Sequence, residues 1–159
     1  MTVTPFDQVV TEHGAVVLRV CRAVLGPVDA DDAWSETFLA AMRAYPRLRP
    51  DSNIRAWLVT IAHRKAIDRH RVAKRSPVPT ETLPERPTRL GNPDPSDDVL
   101  WEAVRLLPDK QRAAVAYRYL ADLPYREIGA LLGSSEAAAR RSAADGIATL
   151  RTSYRKETT

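Results

Sequence analysis

The sequence has little of what several classes of protein require. Its 159 residues include one cysteine, Cys21, so no disulfide partner exists within the chain and a reducing compartment is expected. Apolar runs such as residues 15–18 are far too short to cross a bilayer, and Asp7 and Glu12 lie where a secretion signal carries basic residues. We therefore expect a cytoplasmic protein that does not contact a membrane.

The usual sequence signatures of catalysis are also missing. The chain has no glycine-rich phosphate loop, no nucleophile elbow and no Cys-x-x-Cys pair. The combination of His63, Asp68 and His70 leaves an enzyme or a metal protein as one alternative. Such a site needs convergent geometry, and the neighbouring arginine and lysine side chains repel cations. We expect no enzymatic activity, no bound metal and no cofactor.

Alternating β-branched runs are scarce, whereas apolar residues recur at helical spacing throughout the chain. In the first half this pattern predicts helices over residues 6–24, 30–45 and 54–74. Glycine and proline separate them at Gly26-Pro27, at Pro46 and within residues 50–53. The sequence therefore predicts an all-α fold.

The third predicted helix has an apolar stripe and a basic face. Trp57, Leu58 and Ile61 belong to the stripe, so we expect Trp57 to pack in the core. A basic face is most often only solvated, but here seven basic residues stand against one acid, Asp68, which favours contact with nucleic acid. The basic residues are Arg55, Arg64, Lys65, Arg69, Arg71, Lys74 and Arg75.

Six of the twelve prolines fall within residues 76–97. Each proline lacks a backbone donor and disfavours helix at the residue before it, so this segment is predicted to be a semi-extended linker. It divides the chain into a domain of residues 1–75 and a domain of residues 98–159. Both are near the lower size limit for independent folding, so each half is expected to be only marginally stable alone.

The second half contains the pattern of a helix-turn-helix between Leu107 and Leu150. Gly133 suits the left-handed end of one helix, and Ser134 or Ser135 can cap the next helix, which is predicted to begin near Glu136. An ordinary helical hairpin is the alternative interpretation. In a DNA-binding helix-turn-helix the start of the second helix enters the major groove, which here would present Glu136, Ala138, Arg140 and Arg141.

Five segments in this order resemble the extracytoplasmic-function sigma factors of bacteria, and the likeness covers nearly the whole chain. In the first half they are DADDAWSETFLAA (29–41) and IRAWLVTIAHRKAIDRHR (54–71). In the second half they are LPDKQR, RYLADLPYREIGALLGSSE and the closing TLR. The resemblance implies a region-two domain and a region-four domain joined by the linker.

The resemblance also implies a function, which is that of a non-enzymatic subunit of RNA polymerase that promotes transcription initiation at promoters. Its expected partners are core RNA polymerase and promoter DNA; family members are commonly held by anti-sigma factors, although no residue here identifies such a partner. A regulator that is built on the same scaffold but does not direct initiation is the alternative. The implied polymerase-binding residues are Asp29, Asp31, Asp32, Ser35 and Glu36. The implied DNA-binding residues are Arg55, Arg64, Lys65, Arg71 and Lys74 at the minus-ten element, and Tyr125, Arg126, Ser135, Glu136, Ala138, Arg140 and Arg141 at the minus-thirty-five element.

The sequence departs from the family pattern in both halves. Arg64 replaces a common asparagine, Ser35 a glutamine and Trp34 a small aliphatic residue. In the last helix, the pattern Thr-Val-Lys-Ser-Arg-Leu is replaced by residues 138–143, AARRSA, and Asp145 and Gly146 follow. Alanine at two apolar core positions, and glycine within a helix, should each destabilise the domain. We therefore expect the second domain to bind DNA weakly alone or to need a partner.

Overall fold

The computed structural model describes residues 4–75 and 95–158, with side chains described over 4–71 and 99–153. Within these ranges all regular structure is helical, as predicted. The first three helices begin and end within three residues of their predicted bounds. Of the predicted linker, residues 76–94 lie outside the described residues, whereas 95–97 form the start of a helix. The helices are α1 (Phe6–Leu25), α2 (Pro27–Ala44), α3 (Ile54–Arg75), α4 (Pro95–Arg105), α5 (Asp109–Val115), α6 (Tyr125–Leu132) and α7 (Glu136–Thr158), with a 3-10 turn at Tyr45–Arg47 and a π turn at Ala116–Leu120.

Helices α1, α2 and α3 pack around an apolar cluster in the first half. Cys21 is buried in this cluster, and Trp57 packs against it, as the sequence predicted for Trp57. Trp34 is accommodated by a glycine on the facing helix: the indole Nε1 donates to the carbonyl oxygen of Gly14 at 2.8 Å, and the ring would lie 3.4 Å from a Cβ at that position. The unusual tryptophan therefore serves the contact between α1 and α2.

Helices α4 to α7 form the second half, in which one arginine joins the end of α4 to α5. The guanidinium of Arg112 donates to the carbonyl oxygens of Arg105 and Leu107, both at 2.7 Å, and forms an ion pair with Asp109 at 3.2 Å. Carbonyl groups in the last turn of a helix have no donor within that helix, so the guanidinium of Arg112 supplies the missing donors where the chain turns from α4 to α5. The LPDKQR segment thus has a structural role.

The small residues of α7 face the rest of the second half. Ala139, Ala143 and Gly146 are all buried, and a Cβ added to Gly146 would lie 2.6 Å from Cγ2 of Val115. Their small size lets α5 approach α7 more closely than larger side chains would permit. The destabilisation expected from the sequence is thus offset by a closer helix contact.

The two halves share part of their apolar core. Val20 and Ala23 of α1 and Val59 of α3 belong to the same buried cluster as Tyr117 and Ile128 of the second half. The sequence left the relative placement of the halves open. In this structure they are in direct contact.

Candidate nucleic-acid and polymerase interfaces

The turn between α6 and α7 has the geometry of a helix-turn-helix. Gly133 adopts the left-handed conformation, with φ 66° and ψ 34°, and the side chain of Ser135 accepts a hydrogen bond from the amide of Ala138 at 3.0 Å. The turn is tight because Gly129 lies against it: an added Cβ would be 2.9 Å from the backbone of Ser134 and of Ser135. The predicted C-cap, N-cap and helix start are all confirmed.

The residues predicted to enter the major groove share the outward face of α7. Glu136, Arg140 and Arg141 are exposed and Ala138 is half-buried, whereas Ala139 turns into the core. Arg140 and Glu136 form an ion pair at 3.5 Å. This face therefore carries two exposed guanidinium groups and one carboxylate at the start of the helix.

An aromatic ring at the start of α6 connects this face to the preceding segment. The guanidinium carbons of Arg118 and Arg140 lie 4.7 and 5.0 Å from the centre of the Tyr125 ring, distances typical of cation–π contacts. Arg118 also donates to the carbonyl of Leu123 at 3.1 Å. Arg126 is exposed beside this group. Sequence reasoning missed Arg118, because a single arginine in an apolar segment does not reveal which ring it will contact.

Helix α3 does not present its basic residues as one surface. Arg64 and Arg71 are exposed on one face, whereas Lys65 lines a groove beside α2. Arg55 is half-buried in the first turn. Burial lowers the pKa of His13, and the charge of Arg55 lowers it further. Lys74 lies in the last turn, with its side chain outside the described residues. The structure thus brings two of the five predicted minus-ten contacts together.

The acidic residues of α2 are tied to α3 by an arginine that sequence reasoning did not single out. Arg69 forms ion pairs with Asp29 at 3.5 Å and with Glu36 at 3.2 Å. An acid on one helix and an arginine 33 or more residues later give no local spacing signal for such a pair. The remaining predicted polymerase-binding residues, Asp31, Asp32 and Ser35, are exposed on α2.

Exposed apolar side chains continue the outer surface of α2. Leu39 is 50% exposed and Met42 is 51% exposed. Leu39 lines the same groove as Asp29, Glu36 and Lys65. The surface of α2 therefore combines carboxylates with apolar area, a composition suited to a protein partner.

The histidines considered as a metal site lie in different surroundings. Nδ1 of His63 is 2.5 Å from the hydroxyl oxygen of Tyr117, and burial is the main cause that lowers the pKa of this histidine. Asp68 and His70 are exposed on α3. Within residues 4–75 and 95–158, no three histidine, cysteine or acidic side chains are grouped to hold a metal ion. No helix in the described part of the chain is long and apolar enough to cross a membrane.

Comparison with known sequences identifies the family. Residues 9–76 match the family model for sigma-70 region 2, and residues 97–150 match that for sigma-70 region 4. The RNA polymerase sigma factor CarQ of Myxococcus xanthus is 30% identical, in an alignment that spans 92% of this chain and 87% of CarQ. The chain belongs to the extracytoplasmic-function sigma factors of the sigma-70 family.

Other relatives match this sigma factor over different shares of their own length. The extracytoplasmic-function sigma factor SigD of Mycobacterium tuberculosis is 37% identical over 79% of this chain, which spans 65% of SigD. Among solved structures, the sigma factor RpoE of Bartonella quintana, in complex with the anti-sigma factor NepR, has a TM-score of 0.78 at 18% identity and shows the same fold. That alignment covers 94% of this sigma factor and 96% of RpoE. CnrH, in complex with the cytosolic domain of CnrY, has a TM-score of 0.64 at 25% identity and aligns over 92% of this chain and 85% of CnrH.

Proposed function

We propose that this chain binds core RNA polymerase, recognises the minus-ten and minus-thirty-five elements of a promoter and promotes transcription initiation. The observation that carries the proposal is the presence of two separate basic surfaces in one chain, on the exposed face of α3 and on the outward face of α7. Polymerase supplies the chemistry, so no catalytic role is proposed for this subunit. Its place of action would be the cytoplasm, where polymerase and the chromosome are found.

At the minus-thirty-five element, α7 would lie in the major groove. Arginine can bind guanine through two hydrogen bonds, alanine can contact the methyl group of thymine, and a carboxylate can accept from the amino group of cytosine. Arg140, Arg141, Ala138 and Glu136 provide these three kinds of group on one face. Ser135, Tyr125 and Arg126 are placed beside that face, where contact with phosphate would set the position of the helix.

At the minus-ten element, the opened strand would follow the basic side of α3. Arg64 and Arg71 would neutralise phosphates, with Arg55 and Lys74 near the two ends of the helix. Lys65 faces α2 and so is the least suited of the predicted residues to this role. Arg64 stands where the family commonly has asparagine, so we expect the base preference here to differ from that of a typical relative.

Polymerase would bind the outer surface of α2. Asp31, Asp32 and Ser35 are exposed there, and the exposed side chains of Leu39 and Met42 add apolar area. Arg69 holds Asp29 and Glu36 against α3, which fixes the orientation of these two carboxylates. The partner surface should therefore be basic with an apolar centre.

An inhibitory partner is compatible with this proposal. RpoE and CnrH were solved in complexes with NepR and with the cytosolic domain of CnrY, respectively. We propose that this chain is likewise controlled by a protein that covers its polymerase-binding or DNA-binding surfaces.

Co-elution with core RNA polymerase, followed by mapping of transcript starts on genomic DNA, tests the function directly. The variant Asp32→Arg should reduce co-elution, because it places a positive charge in the proposed polymerase-binding surface. Asp7→Arg makes the same charge change on an exposed position of α1 and should have little effect. DNA binding by the wild type without binding to polymerase would contradict the proposal and favour a regulator that does not direct initiation.

A further inference from the structure

One polar contact joins the two halves inside their shared apolar core. The hydroxyl oxygen of Tyr117, which is fully buried in the second half, lies 2.5 Å from Nδ1 of His63 on α3. The two rings meet edge to face, with centroids 5.4 Å apart. Val59, one turn before His63, packs in the same cluster as Tyr117. The hydrogen bond therefore depends on the halves remaining together.

The bonding pattern around His63 suits the neutral imidazole. Nδ1 of the neutral ring can accept a hydrogen bond from the hydroxyl of Tyr117. The protonated ring has no acceptor nitrogen, so it could only donate to the hydroxyl oxygen, and the hydroxyl proton of this fully buried residue would lose its acceptor. Burial also disfavours the charged ring.

Other ionisable groups near this contact lie on three elements. Burial lowers the pKa of His63, and Arg64 on α3 lowers it further. Glu127 on α6 lines the same groove. Burial raises the pKa of the Tyr117 phenol, and Cys21 on α1 raises it further. The net direction for His63 is downward because burial is the largest effect.

The closed arrangement also places the second half beside part of the proposed DNA-binding surface. The groove between α3 and α6 is lined by Thr60, Arg64 and Ile67 on one side and by Glu127 and Leu131 on the other. Arg64 is a proposed minus-ten contact. A second contact between the halves joins α4 to the turn after α1: Nε of Arg105 lies 2.9 Å from the position that a Cβ on Gly26 would take.

A length comparison shows that this arrangement cannot serve both promoter elements at once. The two elements are centred about 25 base pairs apart, which is roughly 85 Å at about 3.4 Å per base pair. A compact chain of this length has a radius of gyration of about 15 Å and hence a diameter of about 40 Å. The halves must separate before both surfaces can reach their elements on one promoter.

We propose that the His63–Tyr117 hydrogen bond is a latch that holds the chain in a closed form unable to engage both promoter elements, and that protonation of His63 releases it. The consequence for promoter binding rests on the proposed function, whereas the latch itself does not. In the open form His63 is in water and accepts a proton more readily than in the closed form. The closed form is therefore favoured at a pH above the pKa of His63 in the open form, which is near 6.5. It loses that advantage as the pH falls through the lower pKa that His63 has in the closed form.

Small-angle X-ray scattering of the full chain, without polymerase or DNA, tests the latch. Between pH 7.5 and pH 5.5 the radius of gyration of the wild type should rise from about 15 Å to above about 20 Å, the increase expected when two compact halves separate. Tyr117→Phe keeps the ring but removes the hydroxyl, so its radius of gyration at pH 7.5 should be larger than that of the wild type. His63→Gln cannot titrate in this range, so its radius of gyration should not depend on pH.

The chain has two further histidines, which provide matched controls. His70→Gln, at an exposed position of the same helix, and His13→Gln, in α1, should both expand with falling pH as the wild type does. Circular dichroism must show unchanged helix content over the same range. A constant radius in the wild type, expansion that accompanies helix loss, or unaltered pH dependence in His63→Gln would each overturn the proposal. Because no polymerase is present, failure of the proposed function would leave these results unchanged.

Discussion

At the scale of single residues, Arg112 is expected to matter more to stability than its partly exposed position suggests. Its guanidinium donates to the carbonyl oxygens of Arg105, at the end of α4, and of Leu107, which have no other partner among the described contacts. Arg112→Met keeps most of the apolar stem and removes these donors, so the free energy of unfolding should fall by about 2–3 kcal/mol. Urea denaturation measures this loss.

Arg112→Lys should recover only a minor part of that stability, because a lysine ammonium cannot reproduce the planar fork of an arginine. Lys110→Met is the matched control, at an exposed position of the same short helix. An equal loss in the Lys110 variant would mean that the effect comes from a general change of charge in α5.

Tyr125 should support DNA binding through the position of Arg140. The variant Tyr125→Leu removes the ring that both Arg118 and Arg140 contact, whereas Tyr125→Phe retains it. A cation–π contact at an exposed site is worth about 0.5–1 kcal/mol, so the leucine variant should bind a minus-thirty-five duplex about two- to fivefold more weakly. Fluorescence anisotropy with specific and scrambled duplexes would measure the change.

The loss of affinity for the specific duplex, compared with that for the scrambled duplex, shows whether Tyr125 positions Arg140 or only supports contact with phosphate. If the ring orients Arg140, Tyr125→Leu should weaken binding to the specific duplex more than to the scrambled one, and Tyr125→Phe should leave both nearly unchanged. Tyr119→Leu controls for loss of an exposed aromatic ring elsewhere in the second half. Equal weakening by the phenylalanine variant would instead assign the effect to the hydroxyl group.

Local chemistry predicted the residues of the turn, but not the contacts between distant residues. Gly133, Ser135 and Glu136 were predictable because a left-handed glycine, a capping oxygen and an acid at the helix start act within a few residues of one another. The pairing of His63 with Tyr117 was not predictable, since 54 residues separate them and each also fits a generic helix. The sequence identified His63 as a titratable residue but could not supply its partner.

At the scale of helices, Gly146 illustrates how packing overrides intrinsic propensity. In an isolated helix, Gly146→Ala would gain about 1 kcal/mol. Here the new methyl group would meet Cγ2 of Val115 at 2.6 Å, and overpacking of a core costs about 1–3 kcal/mol. We expect a net loss of stability in urea denaturation.

The double variant Gly146→Ala with Val115→Ala separates these two effects. Removal of the valine methyl groups makes room for the new Cβ, so alanine at position 146 should be less harmful in this background than in the wild type. Ala148→Gly, at an exposed position of α7, gives the cost of helix propensity alone. An increase in stability for the single Gly146 variant would show that α5 moves aside without cost.

Helix α3 shows where helical periodicity was informative and where it was not. The spacing of Arg64 and Arg71 predicted a common face, and both are exposed. Counting seven basic residues as one stripe did not distinguish Lys65 and Arg69, which lie about 100–160° around the helix from Arg64 and Arg71 and face the acids of α2. The net charge of α3 therefore indicated nucleic acid as the class of ligand. Only the position of α2 determined which basic side chains remain free to contact it.

At the scale of the whole molecule, the shared core implies that the halves stabilise each other. Val59 and Leu58 are adjacent in α3 and both have no exposed surface, but Val59 packs in the cluster that includes the second half and Leu58 packs in that of the first half alone. In the full chain, Val59→Ala should lower the free energy of unfolding by about 2 kcal/mol and Leu58→Ala by about 3 kcal/mol. A chain of residues 1–75 separates their roles.

In residues 1–75 alone, Val59 has lost its neighbours from the second half. Val59→Ala should then have a much smaller effect than in the full chain, whereas Leu58→Ala should cost about the same in both, as measured by urea denaturation followed by circular dichroism. A fragment too unstable to give a transition would itself demonstrate the dependence on the second half, because the full chain folds under the same conditions. Equal effects of Val59→Ala in the two chains would mean that the contact between the halves contributes no stability, and that their closed arrangement is held by the few polar contacts alone.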